Sequence, residues 1–384
     1  MRQDLDDGDG ARMMWRSGLA TVILLAACGD GAATDRAGAA VVPGAAGATE
    51  QSAADPTARP EIREFRDWRA ICDNGNACVA WTGSDEGGWL RIGMEAGPDA
   101  RPTVQASGGF DHDGAPADVR LKIDGRDYAV SGGAGSDARH RSVVGALASA
   151  QTVTLETGDR AIELPASGVS AALLWIDERQ GRLETITALL RPGDRPASTV
   201  PSAPALPMVQ SAPPIDQGAF AAANAPMGDD PPPQLRVPAA IEARPEVKAC
   251  RAENNEYLDK AVLAARLDGS TVLWGVPCGS GAYNATYVLY LARPDGSGVR
   301  PAELPTREPV GGEDDLWLVN PQYDPEGQTL TVFPRGRGLG DCGTIQTWTW
   351  TAAGFALTRE RFMGDCQGMS PDYWPTTWRA DVRP

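Results

Sequence analysis

Phe65-Arg-Asp-Trp-Arg-Ala-Ile-Cys72 decides the fold class. Large apolar and polar side chains alternate along it, the two-residue period of a half-buried strand. Cys78-Val-Ala-Trp81, Trp89-Leu-Arg-Ile92, Val119-Arg-Leu-Lys-Ile123 and Thr152-Val-Thr-Leu155 repeat the pattern, separated by turns rich in Gly, Asp and Pro. Asp124-Gly125, between Val119–Ile123 and Tyr128–Val130, is a hairpin signal. Helical spacing over Val143–Ala148 and Ser170–Glu178 predicts two short helices in this half. Further on, Ala261–Leu267 and Thr271–Val276 flank a second hairpin turn, Asp268-Gly269. Thr286–Leu291, Leu330–Phe333, Ile345–Thr351 and Phe355–Thr358 continue as short strands. The expected fold is mainly β: two antiparallel β-rich domains, each a sandwich or open barrel, the first with two short helices and the second all-β.

A chain of 384 residues has room for two domains of ordinary size. The pattern divides it into an N-terminal domain, 60–195, and a C-terminal domain, 246–384. Between them, residues 196–245 carry Pro201, Pro204, Pro207, Pro213, Pro214 and the triplet Pro231-Pro232-Pro233. Proline removes backbone donors and favours extended chain, so a linker that packs against nothing is expected there. The two halves should then fold independently. With 51 acidic against 35 basic residues and a net charge of -16, the chain lacks the basic block that nucleic acid demands. Two histidines, His112 and His140, disfavour a His-ligated metal and a Ser/His/Asp triad. No Cys-x-x-Cys pair offers a zinc site. No metal and no cofactor are expected.

The N-terminus carries an address. Arg16 precedes the apolar run Gly18-Leu-Ala-Thr-Val-Ile-Leu-Leu-Ala-Ala27, which is too short to span a bilayer and reads as a secretory signal. Asp4, Asp6, Asp7 and Asp9 are foreign to such a signal, so translation is expected to begin at Met13 or Met14. The ending Leu25-Ala26-Ala27-Cys28 resembles the bacterial lipobox. That resemblance implies a signal peptide over 1–27, lipidation of Cys28 and attachment to the membrane through the lipid. Residues 28–59, rich in Ala, Gly and Thr, read as a flexible tether. Gly29 stands where an Asp would favour inner-membrane retention, which points to the periplasmic face of the outer membrane.

Of seven cysteines, six follow Cys28, and an even number in an exported chain argues for disulfides. Six allow 15 pairings. The domain division joins Cys72 to Cys78 and leaves three arrangements for the rest. Nearness in sequence favours Cys250–Cys278 and Cys342–Cys366, while a Cys278–Cys342 bridge would tie two glycine loops together.

Phe65-Arg-Asp-Trp68 with Cys72 and Cys78, followed by Leu174-Trp-Ile-Asp-Glu-Arg-Gln-Gly-Arg182, resembles the first half of a bacterial family catalogued as domain of unknown function 1176. Gly336-Arg-Gly-Leu-Gly-Asp-Cys-Gly343, Trp348, Phe355 and Cys366 resemble its second half, and six cysteines belong to its pattern. The first domain is also similar to the invasion-associated locus B proteins, which share a Phe-x-Asp-Trp opening. The resemblance covers about residues 62–384 outside the linker. It implies a fold and no mechanism.

Gly338-Leu-Gly-Asp-Cys-Gly343 has Gly-x-Gly-x-x-Gly spacing, but Thr344 to Thr351 alternates like a strand. A dinucleotide site needs a helix there, so no nucleotide is expected. Arg335, Arg337 and Asp341 flank this glycine path as a candidate binding loop, or else form a structural Arg–Asp network. Asp111-His-Asp-Gly114 lacks the later ligands of a Ca²⁺ loop and reads as a turn. Glu313-Asp314-Asp315 reads as a solvated loop, although Asp314, Asp315 and Asp341 are the carboxylates a hydrolase would use. Asp177, Gln180 and Arg182, near a helix end, read as structural. Trp348 and Trp350, on one face of one strand, are core or a platform for sugar rings. The expected function is a non-enzymatic binding module of the cell envelope with a protein or glycan partner. The alternatives are a carboxylate-based hydrolase and a muramidase-inhibitor-like protein that inserts its Gly336–Gly343 loop.

Overall fold

The computed structural model describes residues 60–108, 119–130, 137–158, 160–224, 235–252, 261–306 and 317–384. The signal, Cys28, the tether, His112 with the Asp111–Gly114 turn, and Glu313-Asp314-Asp315 lie outside the described residues.

The first sheet is an antiparallel meander of β1 (Glu61–Phe65), β2 (Trp68–Cys72), β3 (Cys78–Gly83), β4 (Trp89–Met94) and β5 (Pro102–Ser107). Phe65-to-Cys72 is therefore not one strand. Phe65 faces Trp68 across a two-residue turn, where Arg66 takes a φ of 56°. Next come β6 (Val119–Ile123), β7 (Arg126–Val130), α1 (Asp137–Leu147), β8 (Val153–Thr157), β9 (Arg160–Leu164) and α2 (Val169–Arg179). The four strands form a second sheet, ordered β7-β6-β8-β9, with Asp124-Gly125 as the turn between β6 and β7. One face of the first sheet (Trp68, Leu90, Ile92) packs with the second sheet (Leu121, Ile162) and α2 (Leu173). α2 starts at Gly168, whose φ is 108°; a Cβ there would lie 1.7 Å from the Phe65 carbonyl oxygen, so no larger residue fits.

After α2 come β10 (Met208–Gln210), α3 (Ala239–Glu242), α4 (Pro245–Ala252), β11 (Leu263–Arg266), β12 (Val272–Ser280), β13 (Ala285–Ala292), β14 (Arg300–Pro301) and β15 (Trp317–Val319). They are followed by β16 (Gln322–Asp324), β17 (Thr329–Val332), β18 (Gly343–Thr351), β19 (Gly354–Met363), β20 (Thr376–Arg379) and β21 (Asp381–Arg383). The third sheet is ordered β11-β12-β13-β14, with β15 also on β13; the fourth is the meander β16-β17-β18-β19-β20. The second half is thus not purely strands. α3 and α4 supply Ile241 and Val247 to a core against Val276 and Tyr290 of the third sheet. The opposite face of that sheet, with Leu273 and Leu289, meets Leu330, Trp348 and Trp350 of the fourth.

The fourth sheet is covered on its other face as well. Ile345 and Met363 pack with Ile71, Trp81 and Trp89 of the first sheet, joined by Trp374. The order of layers is therefore second sheet with α2, first sheet, fourth sheet, third sheet, and α3 with α4. From residue 60 onward the described residues form one compact unit rather than two bodies on a linker.

The stretch from 196 to 245 departs from the expected extended linker. Pro207 and Pro213 enclose a proline-free window, and its amides are free to pair. β10 runs parallel to β21, Ser211 N donates to Arg383 O at 2.7 Å, and Ala212 N to Trp350 O at 2.8 Å. Gln217 brackets Arg266, accepting from its N–H and donating to its carbonyl, each at 2.9 Å. Proline density lowers the number of donors, but it does not prevent short windows from docking on a preformed surface.

Candidate functional site

Where β3 and β4 carry Trp81 and Trp89, the first and fourth sheets touch. Further along the same face, at Val79, Arg91 and Gly93, they part around a cleft of about 740 Å³. Thr329, Thr347, Arg359 and Thr376 line it from the fourth sheet, and Thr103 and Gln105 from β5. Its charged lining is Arg91, Arg101, Arg359 and Arg379 against Asp73 and Glu95. Four cations to two anions is the reverse of the chain's overall balance of 35 to 51.

The Cys72–Cys78 disulfide closes a turn that shapes one end of the cleft. Asp73 accepts from the amides of Gly75 at 2.8 Å and Ala77 at 2.9 Å, and its other oxygen lies 2.7 Å from Arg379 Nε. Asn74 clasps the Arg379 backbone, donating to its carbonyl at 2.8 Å and accepting from its N–H at 2.9 Å. Arg379 also reaches Glu95 at 3.3 Å. Burial holds the Asp73 carboxyl above its usual range, although Arg379 and the two amides pull the other way. With every oxygen engaged, Asp73 is a poor proton donor.

A fully buried guanidinium fixes the other rim. Arg182 donates to the carbonyls of Glu95 at 2.9 Å and Gly97 at 2.7 Å, to Gln180 Oε1 at 2.7 Å and to Thr187 Oγ1 at 3.1 Å. Asp177 accepts from the amides of Leu189 and Leu190. Arg182, with Gln180 Nε2 donating to the Met94 carbonyl at 2.9 Å, orders the segment between β4 and β5 that carries Glu95 and Arg101, while Asp177 holds the chain at 189–190.

Arg91 donates to Gln105 Oε1, while its Nε is buried without a hydrogen-bond partner. Burial lowers its pKa from the ordinary arginine value. Among the described residues, neither Arg91 nor the exposed Arg359 has a carboxylate within ion-pair range.

Arg335, Arg337 and Asp341 lie in the connection between β17 and β18, and none of them lines the cleft. Asp341 is fully buried; Arg337 binds both its oxygens, and the Gly368 amide donates to Oδ2 at 2.7 Å. Arg337 also donates to the Cys366 carbonyl at 2.7 Å. The guanidinium of Arg335 lies over the Phe333 ring at 5.3 Å. β18, a strand, follows the glycine path, and the φ of Gly343 is 137°, with no room for a Cβ beside Pro334 O. Trp348 and Trp350 are 0% and 4% exposed, their indole N–H groups donating to Pro305 O and Asp268 Oδ2. They are core and cannot stack on a sugar. The six cysteines pair Cys72–Cys78, Cys250–Cys278 and Cys342–Cys366. Among the described residues no group of His, Cys, Asp and Glu could hold a metal ion.

The cleft residues Asp73, Arg91, Glu95, Arg359 and Arg379 escaped the sequence reading. One signal was available: Arg91 shares a strand face with Trp89, a side chain too large to leave in water. Such a face must be covered, and a cation on it must then be accommodated.

Stacked open sheets, three disulfides and an arginine-rich cleft where two sheets part define a β-rich, disulfide-stapled protein. The chain belongs to the family described as Protein of unknown function (DUF1176), whose profile matches residues 62–381. It is 29% identical over 347 residues to the uncharacterised protein YpfG of Escherichia coli (strain K12), covering 84% of this chain and 93% of that relative. No solved structure matches the chain.

Proposed function

We propose that the protein is a lipid-anchored component of the cell envelope, on the periplasmic face of the outer membrane. There it binds another envelope component, protein or glycan, without chemical change. The single observation that carries the binding role is the cleft between the first and fourth sheets, whose volume of about 740 Å³ suits a small-ligand site. Its carboxylates favour binding over hydrolysis: Asp73 is saturated, and Glu95 is largely solvent-exposed. The anchoring rests on Leu25-Ala26-Ala27-Cys28, and three disulfides suit an oxidising compartment. Among the described residues no helix is long and apolar enough to cross a membrane. The six-cysteine pattern and the Phe-x-Asp-Trp opening support the same placement through the families they resemble.

Two measurements test this. Replacing Cys28→Ser should release the chain from the membrane fraction; unchanged sedimentation defeats the anchor. A photo-crosslinker at position 382, an exposed cleft residue, should capture a partner in intact cells, and Thr103→Trp, a bulky substitution on an exposed cleft residue of an edge strand, should abolish capture. Capture that survives the blockade defeats the site.

The loop-insertion reading has its own observation. Residues 336–339 are exposed, Leu339 at 56%, and Tyr283 lies against Gly338 and donates to Gly336 O at 3.2 Å. A muramidase assay in which the protein inhibits and Leu339→Asp does not would support it. No inhibition by the unaltered protein removes it.

A further inference from the structure

We propose that the cleft takes a carboxylate-bearing oligosaccharide, with its acid groups seated on Arg91 and Arg359. The inference rests on the cleft being the binding site and names the ligand class. Charge is the first argument. In a chain of net charge -16 the cleft carries two more arginines than carboxylates. Asp73 and Glu95 both bind Arg379, and among the described residues no carboxylate lies within ion-pair range of Arg91 or Arg359. Arg91 is the costly one. A guanidinium cannot shed its proton in a protein; Glu95 acts on this one only from beyond ion-pair range, and confining it with no ion-pair partner is unfavourable unless an anion arrives. Its Nε points at no acceptor. The planar fork of donors suits a carboxylate, which can accept two parallel hydrogen bonds.

Shape and hydroxyl content supply the second argument. A bare anion would need only the immediate surroundings of one arginine. Here the lining continues over Thr329 and Thr347, on neighbouring strands about 4.8 Å apart, over Thr376 two strands further on, and over Thr103 on the first sheet. Each threonine carries a hydroxyl with a methyl beside it; those of Thr347 and Thr103 also bond Thr331 Oγ1 at 3.0 Å and the Gly93 carbonyl at 3.4 Å, and they keep acceptor lone pairs. That alternation complements a polyhydroxylated chain better than an apolar ligand, which would have to desolvate the arginines.

The test uses the full chain in detergent, titrated calorimetrically with trigalacturonic acid, its methyl ester and inorganic phosphate. The acid should bind with an affinity that falls as salt rises, and the ester at least tenfold more weakly. Arg91→Gln and Arg359→Gln should each weaken the acid at least tenfold. If Arg91→Gln fails to fold, the exposed Arg359 decides by itself. No binding of the acid, or binding indifferent to Arg359→Gln, overturns the proposal. Phosphate that binds as tightly with the same arginine dependence makes this a plain anion site and also overturns it. If acid and ester bind equally and Thr103→Trp abolishes both, the acid class falls while the cleft stands. If Thr103→Trp leaves acid binding intact, the cleft reading falls with it.

Discussion

Asp341 shows how a residue that looks functional can be spent on structure. Burial acts to raise its pKa, but the Arg337 hydrogen bonds and the Gly368 amide outweigh it and hold the carboxyl below its usual range. A depressed carboxylate contributes stability above its unfolded pKa and loses it as the pH falls through the folded value. The contribution is therefore present at pH 7 and fades below about pH 4. Asp341→Asn should cost about 1–3 kcal/mol at pH 7, the range for a hydrogen-bonded charge with a partly exposed partner. Urea unfolding at pH 7 and pH 3 should show that cost shrinking in acid; an equal loss at both would mean the ion pair contributes nothing. Asp73 works with the opposite sign. Its raised pKa makes its charge a net burden at neutral pH, relieved on acidification. Legibility at this scale was partial. Arg335, Arg337 and Asp341 could be singled out as a cluster, but a carboxylate saturated by an amide 27 residues further on looks in sequence like a free one.

At the scale of elements, hairpins and helices were legible because each is specified by a few adjacent residues. Asp124-Gly125 and Asp268-Gly269 sit at the turns of β6–β7 and β11–β12, and the helical stretches became α1 and α2. The window at 208–212 was not legible, because its strand exists only where β21 and Trp350 offer acceptors. Ala212→Pro removes the donor to the buried Trp350 carbonyl and should cost about 1–3 kcal/mol. Chemical denaturation should detect it; no change would make the docking incidental. The disulfides act through chain entropy. Cys250–Cys278 and Cys342–Cys366 span 28 and 24 residues, each restricting the unfolded chain by about 3–4 kcal/mol. Cys366→Ser should lower stability by roughly that amount and leave Cys342, 2% exposed, as a thiol alkylated only on unfolding. Rapid alkylation under native conditions would show the glycine loop opening without global unfolding.

For the whole molecule, the junction of the first and fourth sheets matters most. Ile71, Trp81 and Trp89 are covered by residues of the other half, and Trp81 donates to Asp365 at 3.2 Å. The full chain should melt in a single transition followed by tryptophan fluorescence. Residues 60–195 expressed alone should expose those three side chains and bind a hydrophobic dye. Two separated transitions, or an isolated fragment that is folded and dye-silent, would mean that the halves are independent after all.

Alternation, turn chemistry and cysteine placement are local properties of the chain. By themselves they determined the mainly β class, the hairpins and the helices of the first half, and for the second half they favoured one of three cysteine pairings without deciding it. Only the tertiary structure decided that the two halves share a core, that a proline-rich stretch docks as a strand, and that Trp348 and Trp350 are buried. It also decided which charges keep a partner. Asn74 and Arg379 meet across 305 residues, and the same approach of two sheets that gives Arg379 its carboxylates leaves Arg91, among the described residues, with none in ion-pair range. The strand pattern records that a face must be covered, because burying tryptophan is favourable wherever the cover comes from. It does not record which sheet covers it, and the cleft is made by that choice.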